Sequence, residues 1–305
     1  MSKILVTGAT GFVGQELTKL KQEFRCVVRL GEPHTFKDTY TVPGIDLFTE
    51  WSDCFTEVDT LIHLAGLAHN KLFSVDDYNS VNTNGTLRLA LKAAETGVKR
   101  FVFVSSIGVN GVSTTDKLFT PHSEEEPHNP YAQSKYDAEL GLKKIAKETG
   151  LEVVIVRPTL VYGPNAPGNF GMLTRLVSKL PIFPFGLANN RRDFIAVQNL
   201  ADLLVTCATH PDAAGHTFLA SDGETVSIQE FTNAIAEGLG KKVIQLPIPV
   251  TLMRFIGKLT GKSVMIEQLY GNLEVDSSNI NDVLGWTPPL TMKQAMATLR
   301  DTGIK

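Results

Sequence analysis

Three glycines, Gly8, Gly11 and Gly14, follow directly on Lys3-Ile4-Leu5-Val6-Thr7, a short apolar run with the character of a buried parallel strand. After them, Gln15 to Phe24 carries Leu17 and Leu20 at helical spacing. A plain strand-to-helix turn needs one glycine. Three at this spacing allow a tight turn, close approach of backbone to a pyrophosphate, and close packing of helix on strand. The turn therefore predicts a dinucleotide over Gly8, Gly11 and Gly14, with the pyrophosphate at the start of the helix.

Alternation along the chain extends this to a fold class. Strands are predicted at Lys3 to Thr7, Arg25 to Arg29, Thr60 to Leu64, Arg100 to Val104 and Glu152 to Arg157. Helical patterns separate them at Gln15 to Phe24, Val75 to Thr96 (ended by Gly97) and Tyr131 to Thr149. Repeated βαβ units give an α/β doubly wound parallel sheet of Rossmann type, with helices on both faces. After Tyr162 the character changes. Gly163 to Gly171 reads as a loop, and Pro181 to Gly186 cannot be a regular helix. Asp193 to Val197 and His216 to Ala220 read as strands, with Asn199 capping a helix to Thr209. Four helices follow, at Ile228 to Gly238, Thr251 to Leu259, Asn279 to Leu284 and Met292 to Leu299. The expected division is a dinucleotide domain of residues 1–165 with 190–222 returning to it, and a small, mostly helical substrate lobe of residues 166–189 and 223–305.

The 305 residues suffice for a large core, and 43% apolar with 20% charged is ordinary for a soluble enzyme. A net charge of -3 argues against a nucleic-acid binder. Cys26, Cys54 and Cys207 form no CxxC pair, so a reduced, cytoplasmic setting is expected. No signal peptide and no membrane span is visible, and the histidines show no metal-ligand spacing, so no metal is expected.

Chemistry enters with Tyr131-Ala132-Gln133-Ser134-Lys135. Tyr131 and Lys135 share one helix face, where an ammonium lowers the pKa of a nearby phenol and fits it for proton transfer. Alone the pair is common. It gains weight from Arg100-Phe101-Val102-Phe103-Val104-Ser105-Ser106, a strand ending in hydroxyls at the edge where such sheets bind ligands. Ser106 is placed to hydrogen-bond a substrate oxygen, or merely to start a turn. Asn82, in Asn82-Thr83-Asn84-Gly85-Thr86, is a further polar group in a helical stretch; taken alone it fits a helix cap or a bridge between strands better than a site.

In this order the features resemble the extended short-chain dehydrogenase/reductase family, over essentially the whole chain. The glycine turn, His63-Leu64-Ala65-Gly66, Asn82, Ser106, Tyr131, Lys135, Arg157-Pro158 and Val161-Tyr162-Gly163-Pro164 fall where that family has them. Within it the chain resembles the nucleotide-sugar branch, and a group of UDP-glucose 4-epimerases and UDP-N-acetylquinovosamine dehydrogenases. That group shares Val109-Asn110-Gly111, Asn190-Arg191-Arg192, Leu273-Glu274-Val275-Asp276-Ser277-Ser278 and Leu284-Gly285-Trp286-Thr287-Pro288.

The resemblance implies a nicotinamide cofactor, with Ser106, Tyr131 and Lys135 catalytic. Tyr131 would serve as acid/base on a sugar oxygen that Ser106 also bridges, and Lys135 would hold the nicotinamide ribose. Phe12, Val13, Leu64, Ala65, Gly66, Asn82 and Pro158 would line the cofactor, with Asp46 and Leu47 at the adenine. Asn169 and Arg192 would hold the phosphates of a UDP-hexose, and Asn110 would face the sugar. NAD-specific folds place an acid about 20 residues beyond the glycines. Here the second strand ends in Arg29, which suits a 2′-phosphate; NAD or NADP is expected, with NADP favoured. A homodimer through the helices at 75–96 and 131–149 is implied as well.

Departures narrow the reaction. Ile107 and Gly108 stand where 4,6-dehydratases carry an Asp-Glu pair, so elimination lacks its acid and base. Asn110, Ala68 and Leu160 replace residues of well-studied galactose epimerases, which leaves reduction of a 4-keto sugar beside 4-epimerisation. A small-ketone (flavonoid-type) NADPH reductase would share the catalytic groups but not Asn169 and Arg192. A non-catalytic dinucleotide sensor would be expected to lose the Tyr-Lys pair. Phe183 and Phe185 are expected in the core rather than on a base.

Overall fold

The computed structural model describes residues 3–68 and 72–302. In chain order the first half contains β1 (Lys3–Thr7), α1 (Phe12–Leu17), β2 (Phe24–Arg29), β3 (Thr39–Val42), β4 (Val58–His63), α2 (Val75–Tyr78), α3 (Thr86–Glu95), β5 (Arg100–Val104), α4 (Pro130–Thr149) and β6 (Glu152–Pro158). The second half adds β7 (Leu160–Tyr162), α5 (Gly168–Lys179), β8 (Ile182–Phe183), β9 (Phe194–Ala196), α6 (Val197–Thr209), β10 (Thr217–Ala220) and α7 (Ile228–Gly238). It closes with β11 (Ile244–Gln245), α8 (Val250–Leu259), α9 (Ser263–Tyr270), α10 (Ser278–Leu284) and α11 (Met292–Ala297).

Seven strands form one parallel sheet in the order β10-β6-β5-β4-β1-β2-β3. The chain runs outward from β1 to β3, then crosses back to β4 on the other side of β1. Neighbouring connections diverge at that reversal, leaving a crevice at the carboxyl ends of β1 and β4. Successive strand residues serve opposite faces. Val6, Ile62 and Val156 pack with Leu17 of α1 and Leu200, Leu203 and Leu204 of α6. Leu5, Leu61, Phe101 and Ile155 pack with Leu89 of α3 and Ala138 and Leu142 of α4. Both faces are covered, which is why the strands read as unbroken apolar runs rather than alternating ones. A third core joins Phe170 of α5, Phe231 of α7, Tyr270 of α9 and Met296 of α11; Phe183 and Phe185 lie in it, both buried.

Several elements depart from the sequence expectations. The first helix is not Gln15 to Phe24: it runs Phe12–Leu17, and turns carry the chain from Thr18 into β2. Helical spacing of Leu17 and Leu20 does not reveal where the backbone ladder ends. The stretch 75–96 is not one continuous α-helix; Asn79–Gly85 is a π-helical segment between α2 and α3. Gly97 takes a φ of +84°, as a helix stop requires. Residues 163–171 are a loop only as far as Pro167, after which α5 begins. Asn199 does not cap its helix. α6 starts at Val197, and Asn199 lies inside it, donating to Asp222 Oδ1 and Leu290 O. Residues 30–38 form no helix between β2 and β3. The gap beside α1 is a cavity of about 1240 Å³ walled by Gln15, Thr18, Phe24, Cys26, His34 and Phe36.

Candidate functional site

The glycines divide their labour by position. Gly8 has a φ of +72°, and a Cβ there would lie 2.7 Å from the Ala65 nitrogen. β1 and β4 can turn side by side only without that atom. A Cβ on Gly14 would lie 2.2 Å from Gly8 O, so α1 rests directly on the turn. Gly11 is different: its φ of -74° suits any residue, and its Cβ would meet only Gly8 O at 3.2 Å. The fold needs Gly8 and Gly14. Gly11 leaves backbone bare toward the crevice, as a cofactor phosphate requires. Gly11→Val is accordingly expected to weaken cofactor binding about 5- to 150-fold, as steric crowding of 1–3 kcal/mol implies. The unfolding midpoint should hold, whereas Gly14→Ala should lower it. Titration calorimetry with each cofactor, beside thermal melts, checks this; wild-type affinity in Gly11→Val contradicts it.

β4 ends at His63, and Leu64, Ala65 and Gly66 continue across the crevice. His63 is fully buried, with Thr7 Oγ1 at 2.6 Å from Nδ1 and Thr86 Oγ1 at 2.9 Å from Nε2. Thr86 spends its own proton on Asn82 O, so its oxygen accepts from Nε2–H and Thr7 donates to Nδ1. Burial, helped by Lys135, holds the imidazole down at about 3 and therefore neutral. This chain ties β1, β4 and the π-helical segment together. Asn82 lies in that segment, the kind of irregularity that collects at functional sites. Its Oδ1 accepts from Leu67 N at 2.7 Å, and its Nδ2 donates to Leu67 O and Ser134 Oγ, each 3.1 Å away. Asn82 thus clamps the loop after Gly66 onto α4. A Cβ on Gly66 would meet Asn82 Oδ1 at 2.8 Å and Lys135 Nζ at 3.4 Å, so Gly66 is where these groups converge.

α4 starts cleanly because Asn129 caps it by accepting from Ala132 N, with Pro130 in the first turn. Tyr131, Lys135 and Glu139 then follow four residues apart on one face. Tyr131 is half-buried and hydrogen-bonded to Ser106, and Tyr78 of α2 packs edge-on at 6.1 Å. Burial pushes the phenol above its ordinary value, the Ser106 hydrogen bond opposes that, and Tyr78 adds to it. The net direction is opposite to the lowering that the shared helix face with Lys135 predicts. Lys135 Nζ instead donates to Val104 O at 3.0 Å and sits 4.8 Å from the Phe103 ring centre. Burial brings its ammonium down to about 8, against the pull of Glu139. Ser106 ends the β5 connection, half-buried, and caps a short 3₁₀ turn by accepting from Gly108 N.

Beneath these groups is a buried ionic cluster that the sequence reading missed. Arg157, fully buried on β6, meets Glu139 through Nε at 2.9 Å and again through Nη2. It also donates to Glu125 at 3.1 Å and to Asn110 Oδ1 at 3.0 Å, while Ser105 donates to Glu139. The signal for Glu139 was the four-residue spacing continued past Lys135. Asn110, expected on the sugar, is 1% exposed and lies in this cluster one turn from Ser106; only its Nδ2 has no partner there among the described residues.

The remaining expected groups lie outside this constellation. Arg29 ends β2 exposed, with a loose 3.8 Å contact to Glu32. Asp46 accepts from Phe48 N and Thr49 Oγ1 in the loop after β3, and Leu47 is exposed. Phe12 and Val13 form the first turn of α1, partly packed on the cores, and Pro158 ends β6 buried. Asn169 is exposed in the first turn of α5. Arg192 is partly buried, donates to Gly271 O at 3.0 Å, and desolvation alone brings it down to about 10. No carboxylate pairs with it among the described residues. Among those residues no three His, Cys, Asp or Glu side chains gather as a metal site, and no helix is long and apolar enough to cross a membrane.

Comparisons with known proteins agree with this geometry. Residues 4–221 match the model of the NAD dependent epimerase/dehydratase family. A UDP-glucose 4-epimerase of Vibrio cholerae is 41% identical over 310 aligned positions, covering 95% of this chain and 92% of that one. The UDP-glucose 4-epimerase of Thermotoga maritima, solved with UDP-glucose, superposes with a TM-score of 0.76 at 20% identity, covering 98% of both chains. The RMD protein of Pseudomonas aeruginosa, solved with NADPH, gives 0.74 at 23% identity and 99% of both. A dinucleotide crevice at the sheet reversal, the Ser106–Tyr131–Lys135 constellation beside it and a match over most of the chain lead to one conclusion: this protein is an enzyme of the NAD dependent epimerase/dehydratase family, of the extended short-chain dehydrogenase/reductase type.

Proposed function

We propose that the protein is an NAD(P)-dependent 4-epimerase of a UDP-linked hexose. The observation that carries this is the hydrogen bond of Tyr131 to Ser106 beside buried Lys135, an alcohol–ketone proton-transfer set at the cofactor crevice. The nicotinamide, when bound, supplies hydride transfer. As the phenolate, its own proton first released to solvent, Tyr131 would take the proton from the sugar hydroxyl and, then a phenol, return it to the ketone oxygen; Ser106 would hold the same oxygen, and Lys135 and Asn82 would position the cofactor side. Arg192, a desolvated cation whose one side-chain partner among the described residues is a carbonyl, suits the nucleotide phosphates, and Asn169 adds an amide. We place the substrate between the dinucleotide domain and a lobe of residues 166–189 and 223–305. The Vibrio relative supports the UDP-hexose and the 4-position.

Elimination is disfavoured by space as well as composition. A Cβ on Gly108 would sit 3.3 Å from Ser106 Oγ and 3.6 Å from the Ala132 Cβ, leaving a carboxylate little room. Reduction of a 4-keto sugar is the second reading, favoured by exposed Arg29 as a partner for a 2′-phosphate. Arg29→Asp should shift cofactor preference toward NAD by about tenfold or more, since a charged hydrogen bond is traded for repulsion. Parallel affinities for NAD and NADP measure this, and tighter NAD binding by the wild type removes the argument. Incubation with UDP-glucose, UDP-N-acetylglucosamine, or a 4-keto-6-deoxy derivative plus NADPH, read by NMR, tests the function. Inverted C4 supports epimerisation and a reduced ketone supports the second reading. NADP binding without binding of any UDP-sugar points to a small-ketone reductase.

Exposed Leu91 on α3 and Leu140 on α4 support a homodimer through those helices. Three buried free thiols support a reducing, cytoplasmic setting.

A further inference from the structure

α8 has two apolar faces where folding needs one. Its inner face packs down: Met253 joins the third core, and buried Gly257 lets α9 approach so closely that a Cβ would lie 2.6 Å from Ile266 Cγ1. Arg254 fixes the same hairpin with paired contacts of 2.8 and 3.1 Å to Glu267. The outer face nevertheless carries Leu252, Phe255, Ile256 and Leu259, spaced three and four residues apart and 43–71% exposed. Val264 and Met265 at the start of α9 are 75% and 42% exposed. Scattered exposed apolar residues need no explanation; a continuous stripe of large ones does.

Charge tells what covers it. From residue 241 to 262 the chain has Lys241, Lys242, Arg254, Lys258 and Lys262 and no Asp or Glu, in a protein of net charge -3. On a helix of 100° per residue, Lys258 and Arg254 fall to one side of the apolar stripe, with Lys262 just beyond the end of α8. No carboxylate lies within ion-pair distance of Lys258 or Lys262 among the described residues. An apolar stripe edged by Lys258 and Lys262 matches the boundary of an anionic bilayer: aliphatic and aromatic side chains enter between headgroups, and ammonium groups stay at the phosphates.

We propose that the outer face of the α8–α9 hairpin docks this enzyme peripherally on an anionic phospholipid surface. The stripe residues of the hairpin make none of the described hydrogen bonds or ring contacts of Ser106, Tyr131 and Lys135.

The test is co-sedimentation of the full chain with vesicles of phosphatidylcholine alone or with phosphatidylglycerol at one third of the lipid. Binding to the anionic vesicles is expected, weakened by salt. Phe255→Ser with Leu259→Ser should abolish it. Lys258→Glu with Lys262→Glu should lower partitioning more than about tenfold, since each cation near such a surface is worth about fivefold. Both double variants should keep wild-type melting temperature and cofactor affinity. No binding to anionic vesicles, equal binding to both kinds, or unchanged binding in the variants overturns the proposal. So does loss of a dimer in Phe255→Ser/Leu259→Ser without vesicle binding by the wild type, which would assign the stripe to a second copy of the chain.

Discussion

Tyr131→Phe is expected to lower turnover by about 10²–10⁴-fold, the usual contribution of a positioned acid–base group. Cofactor affinity should change little. The phenol is hydrogen-bonded to Ser106, and Phe keeps the ring that packs on Tyr78. Lys135 cannot replace it. Its ammonium is committed to Val104 O and faces Gly66. Single-turnover kinetics on a confirmed substrate, where chemistry limits the rate, would measure the effect. A loss below about tenfold would show that the proton moves by another route. Ser106→Ala should be milder, because it removes a partner of the phenol and of the substrate oxygen but not the proton donor itself.

The largest effect on stability is expected at Arg157→Met, about 3–5 kcal/mol. The guanidinium is fully buried, and its loss strands Glu139, which is also fully buried, together with Asn110 Oδ1. A buried carboxylate without its cation has no solvent to fall back on. Adding Glu139→Met should recover much of the loss, since the pair's desolvation cost then disappears with its attraction. Denaturant melts of the two single variants and the double variant test this. Additive losses would mean the two side chains act independently. The cluster also explains how α4 holds its pitch against β5 and β6. Glu139 bonds to Ser105 after β5 and Arg157 on β6, one helical turn below Lys135 and two below Tyr131. The face of α4 that carries Tyr131 and Lys135 is thereby registered to the strand ends by charge as well as by packing.

Local chemistry was enough for much of this molecule. β1 and β5 begin and end where the apolar runs do, because a strand covered on both faces must be apolar throughout its length. Gly8 and Gly14 declared the turn, since the steric demands of a positive φ at one and of close helix packing at the other admit no other residue. Tyr131 and Lys135 declared their shared face through helical spacing. These are properties of neighbours in sequence, and the fold inherits them unchanged.

Contacts between distant segments settled the rest. Asn199 has the residue type of a cap, yet β9 runs straight into α6 and Asp222 claims its amide. From the π-helical segment the Asn82 side chain reaches Leu67 and Ser134 at once, partners that lie on other elements and that local periodicity could not announce. Arg157 looked like part of a short motif, and only the packing of α4 against β6 gave it Glu139. Lys135 was expected to act on the phenol from the same helix face; the Val104 carbonyl and the Phe103 ring of β5 are the remote partners that receive its ammonium. The physical reason is common to all four. Burial makes each polar group find a partner, and which partner is within reach depends on where the sheet brings remote segments together.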